Sequence, residues 1–145
     1  MTSANEDEIV WLTELQVKIL HAETINLFGG SAGIRDVGLL QSALARPQHL
    51  LAYNNEATLF DLAAAYGYGL SKNHAFVDGN KRIALLSIRA FLFRNGYRFN
   101  PDEIETVTMM EGVAAGNVTE DLLSEWIEKN STPRFSRSSG SRGTE

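Results

Sequence analysis

Apolar residues recur along this chain at three- and four-residue intervals, the spacing of one face of an α-helix, and nowhere sustain the alternation of a strand. Leu15, Ile19, Ala22, Ile25 and Leu27 predict a first helix that Thr13 caps and Gly29-Gly30 stops. Asp36 caps a shorter one carrying Leu39, Leu40 and Ala43, expected to end before Pro47 because proline disfavours helical geometry in the residue preceding it. Gln48 to Glu56 shows no period and is expected as a short extended flap. From Thr58 to about Leu70 the run combines good helix formers with small residues that permit close packing. Asn80 to Asn95, NKRIALLSIRAFLFRN, is apolar nearly all round, so it predicts a buried helix at the centre of a bundle, with Ile83, Leu86, Ala90 and Phe93 in the core. Two more helices follow Gly96: Pro101 to about Ala115, opened by Asp102 and Glu103, and Thr119 to Lys129, opened by Thr119 and Asp121. The expected fold class is all-α.

Composition narrows the function classes. A chain of 145 residues has room for one domain, and its lack of cysteine excludes disulfides, thiolate metal sites and a thiol nucleophile. The last fifteen residues, STPRFSRSSGSRGTE, hold too little apolar surface to offset the entropy of ordering. The expected division is a flexible N-terminus over 1–8, a domain over 9–130 and a disordered tail over 131–145. Net charge is -5 for the whole chain, and residues 1–130 alone carry 10 basic and 17 acidic side chains, or -7. A generic electrostatic grip on nucleic acid or anionic lipid is therefore not expected. Glu6, Asp7 and Glu8 stand where a secretory signal carries positive charge, and no apolar run nears the roughly 18 residues that span a bilayer. The expectation is a cytoplasmic protein without membrane contact.

Charge by position singles out one segment. Between Leu62 and Pro101 the only acid is Asp78, whereas Lys72, Lys81, Arg82, Arg89, Arg94 and Arg98 supply six of the ten cations of residues 1–130. At the head of the buried helix lies HAFVDGNKR, residues 74–82. Each residue type suits a nucleotide polyphosphate. A helix N-terminus offers unpaired N–H groups and the positive end of the macrodipole, and Gly79 lets backbone approach phosphate closely. With Asn80, Lys81 and Arg82 it forms a candidate phosphate cradle, in which Lys81 is a mobile point charge and Arg82 a planar fork. Asp78 is a candidate Mg2+ ligand, since that ion takes one or two carboxylates plus phosphate oxygens. Histidine is the side-chain type that titrates near neutrality, which makes His74 the candidate base for an attacking hydroxyl.

The spaced motif, a His, a Phe two later and an acid four later preceding G-N-x-R, resembles the signature of the Fic/Doc (Fido) family. Phe28-Gly29-Gly30, Gly33-Ile34-Arg35-Asp36 and Arg94-Asn95-Gly96 are similar to the flanks of its death-on-curing (Doc) branch. AMP-transferring members have Gly where Lys81 stands and a second Arg where Leu85 stands, and both departures look like Doc. There the resemblance implies a reversed NTP, ATP above all, whose γ-phosphate faces the attacking hydroxyl. It implies a toxin that phosphorylates a threonine of elongation factor Tu, stops translation and is neutralised by a small antitoxin of the prevent-host-death type. Two other outcomes are weighed beside it: AMP transfer on the same fold, and an inactive Fido domain that binds proteins. An inhibitory helix of the family's own kind is not expected, because the one Glu-Gly pair, Glu111-Gly112, has Val107 four residues before it.

His21, mid-helix, and His49, expected in a loop, are read as structural, with no H-E-x-x-H pair to make them a metal site. Phe76 is expected to anchor the loop so that His74 points outward. Arg89, Arg94 and Arg98 are left outside the site as a partly solvated face.

Overall fold

A computed structural model describes residues 8–135. Among these the chain forms α1 (Glu14–Phe28), α2 (Val37–Tyr53), α3 (Leu59–Asn73), α4 (Asn80–Arg94), β1 (Tyr97–Phe99), α5 (Glu103–Ala115), α6 (Glu120–Lys129) and β2 (Ser131–Pro133). The all-α expectation holds, with a two-stranded antiparallel sheet added. Helix starts follow their caps. Thr13 and Thr58 each accept the N–H three residues on, while Gln16 and Asp61 reach back to the cap's own N–H. Asp36, Asp102 and Thr119 likewise accept the N–H three residues on, without the returning bond.

The centre of the bundle is α3, not α4. Ten of the fifteen α3 residues are buried, against six on α4. Size decides this. Ala63, Ala64, Ala65, Gly67 and Gly69 leave room for neighbouring helices, and a methyl group on Gly67 would run into Ile88 of α4. On α4, Ile83, Ala84, Ile88, Phe91 and Leu92 are buried, but Leu86 and Ala90 only partly, and Phe93 stays 45% exposed.

Four further expectations give way to packing. On α2 the chain does not stop at Pro47, because Leu40, Ala43, Pro47 and Leu51 form one buried stripe. Burying that stripe outweighs the roughly 3 kcal/mol that an interior proline costs. The expected flap is consequently the last turns of α2 plus a tight turn at 54–57, and His49 lies exposed on the helix. On α1 the buried stripe is Val17, His21 and Thr24, whereas Leu15, Ile19 and Leu27 are 67%, 50% and 75% exposed. Finally, Ser131 does not begin a tail: Ser131–Pro133 pair with Phe99–Tyr97, and Asn100 N–H donates to Asn130 O at 2.9 Å. Residues 1–7 and 136–145, where the rest of both expected termini fall, lie outside the described residues.

Tyr66 of α3 ties the N-terminal approach to the core. Its hydroxyl accepts the Leu12 N–H at 3.0 Å, and burial pushes the phenol up to about 12 despite that opposing bond. A phenol whose pKa is raised by folding contributes stability that is complete below its ordinary value near 10 and lost as pH rises through about 12. Urea titrations should therefore show the native chain losing roughly 2 to 3 kcal/mol over that window. Tyr66→Phe should lack this alkaline loss and be less stable by about 1 kcal/mol at pH 7, for want of a partner for Leu12.

Candidate active site

The site is a loop between the end of the central helix and the start of its closest neighbour. His74 closes α3 in the left-handed conformation, φ 52° and ψ 47°, and is the only non-glycine residue with positive φ among those described. That geometry costs an L-residue about 1 to 2 kcal/mol. It throws the imidazole into solvent while the next two residues, Ala75 and Phe76, turn inward and are buried. Phe76 stacks on His21 of α1, ring centroids 3.8 Å apart and planes 15° apart, as an anchor of the loop should. His21 Nε2 in turn makes a 2.7 Å hydrogen bond with the Asp78 carbonyl. The structural role read for His21 is met: it ties α1 to this loop through Phe76 and the Asp78 carbonyl.

Asp78 is held at both oxygens. Gly79 N–H donates to Oδ1 at 2.9 Å and Ser31 N–H to Oδ2 at 3.2 Å. Gly30 backbone passes so close that a Cβ there would meet Asp78 Oδ2 at 2.8 Å. A carboxylate aimed this way and lining an open cavity fits a single-carboxylate Mg2+ site completed by phosphate oxygens. Among the described residues there is no cluster of three or more acidic or imidazole groups for a metal bound by protein alone.

Gly79, φ 77°, precedes α4 and offers no side-chain cap, unlike the residues before the other five helices. The N–H groups of the α4 first turn have no side-chain cap, an arrangement that suits an anion. Asn80 departs from its expected part. Its amide oxygen accepts Phe76 N–H at 3.1 Å and its amide nitrogen donates to Phe76 O at 3.0 Å, so its side chain locks the loop and only its main chain can serve a phosphate. Lys81 is 3.8 Å from Glu111 of α5, with both side chains more than half exposed, and Arg82 lies 4.8 Å from the ring of Phe28. All six predicted residues line one cavity of about 580 Å³, with Phe28 to Gly30 opposite; a second hollow, about 750 Å³, continues past Lys81 along α5. Arg89 lies outside it, donating to Phe99 O at 3.4 Å.

The particular contacts of three residues were not read from the sequence: His21 on the Asp78 carbonyl, Gly30 against the Asp78 carboxylate and Glu111 beside Lys81. His21 was read as structural, and Gly29-Gly30 as a helix stop and a flank of the resemblance, without those partners. The geometry is matched by likeness. The Fic/DOC family model matches residues 11–92, more than half of the chain. This chain belongs to the Fic/DOC family. Among its Fic/DOC relatives, Protein kinase doc of Escherichia phage P1 is 32% identical over 111 residues, covering 76% of this chain and 86% of that protein. Toxin Doc of Mycolicibacterium smegmatis is 47% identical over 77 residues, covering 52% of this chain and 58% of that protein. No helix described here is long and apolar enough to cross a membrane.

Proposed function

We propose that this chain is a Doc-type toxin, a protein kinase that transfers the γ-phosphate of an NTP, ATP by preference, to a Ser or Thr hydroxyl of a translation factor, elongation factor Tu. The supporting observation is one cavity in which an uncapped helix N-terminus with Lys81 and Arg82 faces His74 and a pre-aimed Asp78. A relative named as a kinase supports the same choice of reaction.

His74 takes the hydroxyl proton as the substrate oxygen attacks the γ-phosphorus. The new O–P bond forms, the bridging P–O bond breaks, and the nucleoside diphosphate leaves. The main-chain N–H groups of Asn80, Lys81 and Arg82 meet the phosphate oxygens at the positive end of α4. Lys81 exchanges Glu111 for phosphate at small cost, since an exposed pair is worth about 1 kcal/mol or less. Asp78 would hold Mg2+, which supplies charge neutralisation on the phosphates when bound. A toxin of this kind requires a small antitoxin, of the prevent-host-death type, and the cytoplasm is where its target resides.

Incubation with elongation factor Tu and ATP labelled at either the α or the γ phosphorus tests the reaction. Label from the γ position and a mass gain of one phosphate are expected. Label from the α position would replace kinase by AMP transfer, and no label from either, with target bound, would favour the binding module.

A further inference from the structure

We infer that Arg35 is a positioning residue for His74: the α1–α2 connection acts as a latch that sets the direction of the catalytic imidazole. The inference rests on His74 as the base in the proposed reaction.

Three consecutive carbonyls at the end of α3 are all taken by this one residue. Arg35 Nε donates to His74 O at 2.8 Å, Arg35 Nη2 to Asn73 O at 3.3 Å, and the Arg35 main-chain N–H to Ala75 O at 2.7 Å, where Asp36 N–H joins it at 3.1 Å. The carbonyls on either side of a residue report its φ and ψ. Fixing those of Asn73 and His74 therefore fixes the left-handed turn of His74 and, with it, the Cα–Cβ direction. A guanidinium suits the task because its planar fork spans two acceptors at once and its charge is favourable at a helix C-terminus.

The surrounding contacts make the connection a rigid body and not a loose strap. Ile34 bridges Phe76, Val77 N–H donates to Gly33 O at 3.1 Å, and Asn73 Nδ2 donates to Leu39 O at 3.0 Å. The same connection presents Ser31 N–H to Asp78. The base and the metal carboxylate are thus referenced to one segment, which explains why His74 can keep a strained backbone while exposed at the cavity. Arg35 is itself exposed, and the three described ion pairs do not include it, so its charge is spent on carbonyls.

The test compares Arg35→Ala and Arg35→Lys with the native chain, alone and in a His74→Ala background. Backbone ¹³C shifts of His74 should leave their left-handed values in Arg35→Ala and do so less in Arg35→Lys, which keeps the cation but not the planar fork. Turnover in γ-phosphate transfer should fall about 10- to 100-fold in Arg35→Ala, with nucleotide KM within about twofold, and recover partly in Arg35→Lys. In the His74→Ala background the Arg35 change should add nothing. Unmoved shifts with unmoved turnover, a loss confined to KM, or an equal further fall without His74 would each overturn the inference. If Arg35→Ala melts the domain, Arg35→Lys carries the comparison. If the native chain transfers no phosphate, the kinase proposal falls, and the His74 shifts alone decide whether Arg35 positions it.

Discussion

Replacing His74 with alanine is expected to lower γ-phosphate transfer about 10²- to 10⁴-fold, the range that a positioned general base contributes. Nucleotide affinity should stay within about twofold, because proton removal belongs to the transition state and the phosphates are held from the α4 side. Stability should hardly change, since the imidazole is exposed and makes none of the hydrogen bonds that secure the loop. His74→Gly is the matching control. Glycine accepts the left-handed backbone freely, so this variant should be as inactive as alanine while melting slightly higher. Expressed in bacteria without its genomic neighbour, the native chain should arrest growth and both variants should be tolerated. Native turnover in His74→Ala would remove the base assignment, and equal growth arrest by native and variant chains would assign the harm to binding.

Asp78→Asn is expected to reduce transfer about 10²-fold at ordinary Mg2+, from loss of roughly 3 kcal/mol of charge stabilisation. Higher Mg2+ should restore part of it. The amide keeps the shape of the carboxylate and one oxygen for a main-chain N–H, so the Gly30 and Ser31 approach survives with weaker binding of the metal. Activity titrated against Mg2+ in both chains checks this: the variant curve should shift to higher concentration and rise toward the native plateau. A variant curve lowered equally at every concentration would make Asp78 a loop support and not a metal ligand.

Much of this site was legible before any fold was known, because its chemistry is local. His74, Asp78, Gly79, Lys81 and Arg82 fall within nine consecutive residues, and the helix starting at Asn80 brings its N–H groups to the same place by its own hydrogen bonding. Caps were legible for a like reason. Thr13, Asp36, Thr58, Asp102 and Thr119 each bond an N–H three residues away, an interaction that needs no partner from elsewhere in the chain.

By itself, then, the amino-acid sequence determined the six helices, the segment that lines the candidate cavity, and its likeness to the Fic/DOC family. Tertiary structure decided which face of α1 is inside and how far the buried stripe of α2 runs. Periodicity chose Leu15 and Ile19 for the buried face of α1, but the fold buries Val17, His21 and Thr24, because His21 finds Phe76 and the Asp78 carbonyl 55 or more residues away in the chain. Pro47 reads locally as a helix end, yet burial against α3 carries α2 through it. The Asn80 side chain reads as free for phosphate until Phe76 occupies both ends of its amide. Arg35 has no visible task until α3 ends beneath it. Sequence patterns record what a residue can do with its near neighbours, whereas the cost of leaving a buried polar group unpaired is settled only when distant segments meet.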